Sequence, residues 1–464
     1  MRRNFLIALL PMALAVASPV AAQNSATTAE AARYAGRRER AYARLGNDLL
    51  VVRSRWATGH VTQPAFEQDA TFYYFTGADH LLGAILVLDG KARRTELFVP
   101  PTLPGFLGPI ADNQPKAVAV DAAVMHVDGV ADWNAFPRFI QRRLSEGTAF
   151  SIQVDGDFTR DGLAGWVGMA LDSLATPGRL RSAWLDALRQ RWPDATVVPG
   201  AAVSAELRAV KDSGEIAALR RAAVNSSAAL RAGMLRFAAG RRQRDVEGAV
   251  VDACTRNAGD GPSFWPWAMT GPNAEFPVPF TANADMHNLD RVMRAGEIAR
   301  LDIGCQVDHY MGDVGRTVPV SGTFTPDQAE VIDLLLATYR AGLAVLRDGA
   351  ADSTVIQASV AEAARRRGSM RTALGRRAAD LVASRDSIPY WQIHGIGLDI
   401  AEQLPTVLRA GMVLDYEPIF VVDGEGFYME DMILVTPTGY EILTKGLPNT
   451  AAEIERAMRR GTAR

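Results

Sequence analysis

Asp302, Asp313, His394, Glu417 and Glu430 are the residues of this sequence whose types and settings suit metal-assisted hydrolysis. Asp302 and Asp313 lie eleven residues apart in 298–317, a run that reads as two short strands joined by a polar, glycine-containing turn. Asp302 sits between Leu301 and Ile303, so the two-residue period of a strand turns it to the face opposite its apolar neighbours. Asp313, between Gly312 and Val314, can meet it across a hairpin. By themselves the two acids read equally well as solvated side chains of a half-exposed hairpin. His394 opens His-Gly-Ile-Gly-Leu-Asp, Glu417 ends the strand 412–417, and Glu430 lies inside the strand 426–435. A lone carboxylate in an apolar strand is costly to bury. Four carboxylates and one imidazole offset that cost by holding two divalent cations, which neutralise them. Such a pair makes a shared water acidic near neutral pH and can hold a tetrahedral intermediate. Oxygen-rich ligation with one histidine points to two ions of Mn²⁺ per chain, with Zn²⁺, Co²⁺ or Fe²⁺ as alternatives, rather than to a structural zinc site.

The elements around these residues form two patterns. With 464 residues, 48% of them hydrophobic, the chain can build two cores. In the first half, strands at 49–52, 84–88, 96–99, 117–120 and 150–154 alternate with helical stretches at 33–45, 133–144 and 180–191. This predicts an α/β domain over 33–203. In the second half, Asp212 and Glu215 form a capping-box pattern ahead of a long amphipathic stretch. Further helices are expected over 245–257, from Thr325-Pro326 to about 348, and over 353–367. Between and after them lie the strands around 298–318, 411–422 and 426–436, an α+β pattern over 204–464.

Residues 1–22 read as a secretory signal: Arg2 and Arg3, an apolar run from Phe5 to Val16, and small residues up to a cleavage point after Ala22. Export to the periplasm or the exterior is expected, by the Sec or the twin-arginine route. Residues 23–32, small and polar, are expected to be a flexible leader. The net charge of −2 gives no bulk attraction to nucleic acid, and no later run is long enough for the mature chain to enter a membrane. Cys254 and Cys305 can form one bridge in an oxidising compartment, but the default reading is two buried free thiols, the former on a helix stripe and the latter at a strand end.

The five residues resemble the metal ligands of the pita-bread metallopeptidases, the family of aminopeptidase P, prolidase, methionine aminopeptidase and creatinase. The matching runs are Leu-Asp-Ile-Gly at Asp302, Asp-Val-Gly-Arg-Thr at Asp313, His-Gly-Ile-Gly-Leu-Asp at His394, Gly-Met-Val-Leu-Asp-Tyr-Glu-Pro ending beyond Glu417, and Glu-Asp-Met-Ile-Leu-Val-Thr at Glu430. Gln68 to Gly77 resembles the amino-terminal domain of aminopeptidase P. The resemblance implies a pita-bread catalytic domain behind a smaller α/β domain, a dinuclear metal site, a preference for proline after the scissile bond, and a homodimer or larger assembly. It also implies departures. The stretch 277–281 lacks the histidine found upstream of the first ligand, and Ala401 stands where a second histidine follows Gly-Leu-Asp. Tyr428 replaces an arginine and Asp415 a threonine. By strand parity Asp415 shares a face with Glu417, and Tyr428 with Glu430.

Glu417 is the expected general base, handing a proton to the leaving nitrogen. His309, in the turn between the two aspartates, and Asp415 are further catalytic candidates. Tyr428 and Trp265, in Phe264-Trp265-Pro266-Trp267, are substrate-binding candidates, and His287 and Glu402 are other possible proton donors or acceptors. The expected activity is hydrolysis of a short peptide or related small amide. The alternatives are a creatinase-like amidinohydrolase or lyase on the same scaffold, or a metal-binding protein without turnover.

Overall fold

Leu49 and Val51 of strand β1 (Leu49–Arg53) enter one apolar core, and Leu50 and Val52 enter another. A continuous apolar run is what a strand covered on both faces requires. The computed structural model describes residues 19–55, 68–78, 81, 83–100, 120, 122–123, 125–155, 179–257, 259–274, 290–384 and 392–459. In it β1 is central, between antiparallel β2 (Ile85–Asp89) and parallel β5 (Ser151–Asp155). With β3 (Arg94–Val99), β4 (Gly129–Asp132) and β6 (Thr196–Pro199) they form a six-stranded sheet ordered β4-β3-β2-β1-β5-β6. The aromatic stretch after Gln68 is the helix Ala70–Thr76, capped by the Asp69 carboxylate and ended by Gly77 at φ 66°. The boundary expected at 203/204 falls inside the helix Ala201–Ala209.

Residues 23–32 correct one expectation. They belong to the helix Pro19–Leu45, which also runs through the cleavage point after Ala22. Alanine, abundant there, is the strongest helix former, and it outweighs the polar character that suggests a leader. The signal residues before Pro19, the strand expected at 117–120 except Val120, and the 277–281 stretch lie outside the described residues.

The second half opens as its capping box predicts. Asp212 accepts from the Glu215 backbone and Glu215 from that of Asp212 at the head of the helix Ser213–Met234. The helices Gln243–Arg256, Pro326–Val345 and Asp352–Arg366 follow the predicted pattern within a few residues, and the helix Ala373–Ala383 is one that the sequence reading did not expect. The strands are β7 (Gly261–Pro262), β8 (Trp267–Thr270), β9 (Ile298–Ile303), β10 (Cys305–Val307), β11 (Tyr310–Met311), β12 (Val314–Pro319), β13 (Gln392–Gly395), β14 (Val413–Glu417), β15 (Ile419–Val422), β16 (Glu425–Thr436) and β17 (Gly439–Ile442). The main sheet runs β13-β14-β16-β12-β9-β8, with β15 and β17 also on β16.

Residue parity divides this sheet. Leu301, Ile303, Val314, Val318, Leu414, Tyr416, Met429 and Ile433 pack into the core formed with the helices. On the other face Val413, Met432 and Leu434 join a core shared with Leu50, Val52, Phe72 and Leu88 of the first half.

The free-thiol expectation for Cys254 and Cys305 is overturned. They form a disulfide with Cα atoms 5.2 Å apart, joining the helix Gln243–Arg256 to β10. Their two buried positions, each legible by itself as apolar, face one another across the helix–sheet contact.

Candidate metal centre

Antiparallel register assembles the site. Asp302 of β9 stands opposite Gly315 of β12, and Gly315 opposite Glu430 of β16. His394 of β13 stands opposite Asp415 of β14, which stands opposite Met432. Directly opposed residues share a face. Asp313, two residues before Gly315, and Glu417, two after Asp415, join that face by parity. It is the face away from the main helical core, so the acids in apolar strands do not enter that core.

Asp313, His394 and Glu430 offer ligand atoms that all lie within 4.8 Å of one another. Glu417 Oε1 is 3.5 Å from His394 Nε2, and these two side chains are the accessible edge of the group, at 13% and 19% exposure. Asp302 and Glu430 are joined through Tyr428, whose hydroxyl donates to Glu430 Oε2 and lies within hydrogen-bonding reach of Asp302. Tyr428 is itself buried, so its place between two of the predicted ligands bears directly on the site.

The electrostatics are those of negative charge gathered in a dry place. Burial, then the neighbouring acids, hold Asp313, Asp415 and Glu430 well above the usual carboxylate range. Burial also lifts Asp302 to about 7, against the opposing charge of Arg300. For His394 burial disfavours the charged ring, but the Glu417 carboxylate prevails and holds it up at about 9. Asp313 Oδ1 and both oxygens of Asp415 have no hydrogen-bond partner among the described residues. Buried carboxyl oxygens in that condition are either protonated or met by a cation. The donors are oxygen-rich with one imidazole, so the residues fit a divalent-metal centre.

A buried ion pair stiffens the site from behind. Arg316 donates through Nη2 to both oxygens of Asp431 at 3.0 Å, and through Nη1 to the backbone carbonyls of Gly315 (2.7 Å) and Glu430 (2.6 Å). Tyr339 and Thr444 hydroxyls also donate to Asp431. This network fixes the strands that carry Gly315 and Glu430, and the sequence reading passes over it. Its signal was present in two charged residues, Arg316 and Asp431, of opposite sign on the apolar-facing parity of two strands.

The other candidates lie elsewhere. His309 has φ 66°, follows Asp308 at φ 51° in the tight turn between β10 and β11, and packs its ring 4.4 Å from that of Tyr73 in the first half. Trp265 is 52% exposed and donates its indole N–H to Glu247. Glu402 is buried but engaged: Lys211 and Arg208 pair with it, and Arg208 also reaches Asp399 at 2.6 Å. These cations outweigh burial and hold the Glu402 carboxyl at about 2, which removes it as a proton acceptor near neutral pH. Ala401 lines a cavity of about 260 Å³ between the halves with Arg55, Thr71, Asp155, Ser204 and Arg208. His287 lies outside the described residues.

Residues 217–437 match the metallopeptidase family M24. The chain is 30% identical over 286 residues to the Xaa-Pro aminopeptidase of Escherichia coli K12, covering 57% of this chain and 62% of that protein. It is 32% identical over 279 residues to Xaa-Pro aminopeptidase 2 of Streptomyces coelicolor, covering 55% and 58%. The matched part is thus less than two thirds of either relative. The fold matches more widely: the solved structure of Pseudomonas aeruginosa aminopeptidase PepP superposes with a TM-score of 0.70 at 20% identity, covering 94% of this chain and 99% of that one.

Proposed function

We propose that this chain, whose residues 217–437 match metallopeptidase family M24, is an exported pita-bread hydrolase of short peptides with proline after the scissile bond, working with two divalent ions per chain. The observation that carries the proposal is the cluster of buried, mutually repelling carboxylates beside His394, with oxygens that lack hydrogen-bond partners among the described residues. The Xaa-Pro aminopeptidases among its relatives support the substrate class. The disulfide supports export, since such bonds persist in oxidising compartments.

Asp302, Asp313, His394, Glu417 and Glu430 would hold the ions. Divalent ions there supply Lewis acidity toward a carbonyl and make water nucleophilic near neutral pH. Glu417, at the accessible edge, accepts a proton from the attacking water and delivers it to the leaving nitrogen. Tyr428 holds Glu430 in orientation through its hydroxyl. Arg316 and Asp431 keep the two strands in register behind them.

A panel of Xaa-Pro dipeptides and longer Xaa-Pro peptides, offered to the mature protein with added Mn²⁺, tests the proposal. Release of the residue before proline is expected. Intact peptides from a chain that has taken up its metal would overturn it.

A further inference from the structure

Asp415 is wholly buried, and neither of its oxygens meets a hydrogen-bond donor among the described residues. Its opposed neighbours are Met432, which offers no donor, and His394. The His394 ring is committed elsewhere: Nδ1 lies 3.1 Å from the Gly395 carbonyl, and Nε2 faces Glu417 at 3.5 Å. Asp415 therefore does not serve as a hydrogen-bond support for the histidine. Its parity points it to the ligand face, opposite His394 and two residues before Glu417. An ionised side chain in this position has to be met by positive charge.

We propose that Asp415 is a sixth protein ligand of the metal centre, adding a fifth carboxylate and biasing the site toward hard, oxygen-preferring divalent ions such as Mn²⁺. This rests on the reading of the cluster as a metal centre. The charges balance with it. Five carboxylates against two divalent ions leave one negative charge, and the buried Arg300 guanidinium, 5.6 Å over the Tyr428 ring, supplies one positive charge. A hard carboxylate in place of a neutral group raises the preference for Mn²⁺ over softer ions.

The test is a titration of the chelator-treated mature protein with Mn²⁺ alone and with Zn²⁺ alone, read by calorimetry and by metal content after gel filtration. Wild type is compared with Asp415→Asn and Asp415→Glu. Two Mn²⁺ per wild-type chain are expected. D415N should bind at least one of them ~10-fold or more weakly, the scale on which supporting groups of metal sites act, with a smaller loss for Zn²⁺. D415E should retain most of the Mn²⁺ affinity. If D415N does not yield folded protein, Asp415→Thr carries the same titration. Wild-type affinity and wild-type Mn²⁺ preference in a folded neutral variant would overturn the sixth ligand while leaving the metal centre standing. A wild-type chain that binds neither ion would overturn both.

Discussion

Tyr428 occupies the space above Gly315 that any side chain there would need: a Cβ at Gly315 would lie 1.8 Å from the Tyr428 ring. Gly315 is the residue between Asp302 and Glu430 in the sheet, so the missing side chain is what lets the phenol reach both acids. Gly315→Ala should therefore destabilise the protein by ~1–3 kcal/mol, the usual cost of overpacking. Urea unfolding checks this, and the penalty should shrink when Tyr428 is also changed to leucine. An equal penalty in both backgrounds would place the strain elsewhere.

Glu417→Gln should lower turnover on an Xaa-Pro peptide by ~100-fold or more, the scale of a lost general base. Metal content is measured on the same sample, so that loss of ions and loss of proton transfer are separated. Full turnover by the variant would remove Glu417 from the proton path.

Asp431→Asn leaves the Arg316 guanidinium buried with its main partner neutralised. Breaking such a pair costs ~3–5 kcal/mol. The midpoint of urea unfolding should fall accordingly, and Mn²⁺ uptake should weaken with it, because the same arginine holds the Gly315 and Glu430 carbonyls. A variant as stable as wild type would show that the network behind the sheet is dispensable.

Glu402 predicts a pH dependence. Its carboxyl is held at about 2, below an ordinary value of 4.5, by Arg208 and Lys211 despite burial. Lowered in the folded state, it contributes stability that is complete above 4.5 and is lost as pH falls through that value toward 2. The contribution is of order 3 kcal/mol. Denaturation curves taken from pH 6 to pH 2 should slope downward across this window. Glu402→Gln should flatten the slope and lower stability at neutral pH, where Arg208 and Lys211 lose the carboxylate they share. An unchanged acid slope would mean that other carboxylates set it.

The five candidate residues stood out because the acids interrupt apolar runs, but their gathering on one face needs the antiparallel register of the sheet as well as strand parity. The capping box at Asp212 and Glu215 was legible because it is local. The pairing of Arg316 with Asp431 was not, since it joins residues 115 apart in the chain through a register that only the sheet defines. Glu402 could be read as a base until the fold set it against Arg208 and Lys211, nearly two hundred residues earlier. The disulfide could not be decided from the sequence, because a cysteine on a helix stripe and one at a strand end look the same bonded or free. The alanine-rich helix from Pro19 was masked by small polar neighbours that also suit a linker.

The apolar cluster that Val413, Met432 and Leu434 share with Leu50, Val52 and Phe72 ties the two halves into a single unit of folding. A fragment beginning at residue 204 would start within the helix Ala201–Ala209 and strip that cluster of its first-half members on the very sheet face that carries the acids. The second half is therefore not a portable module. Its fragment would be prone to self-association, and work on this protein calls for the whole chain.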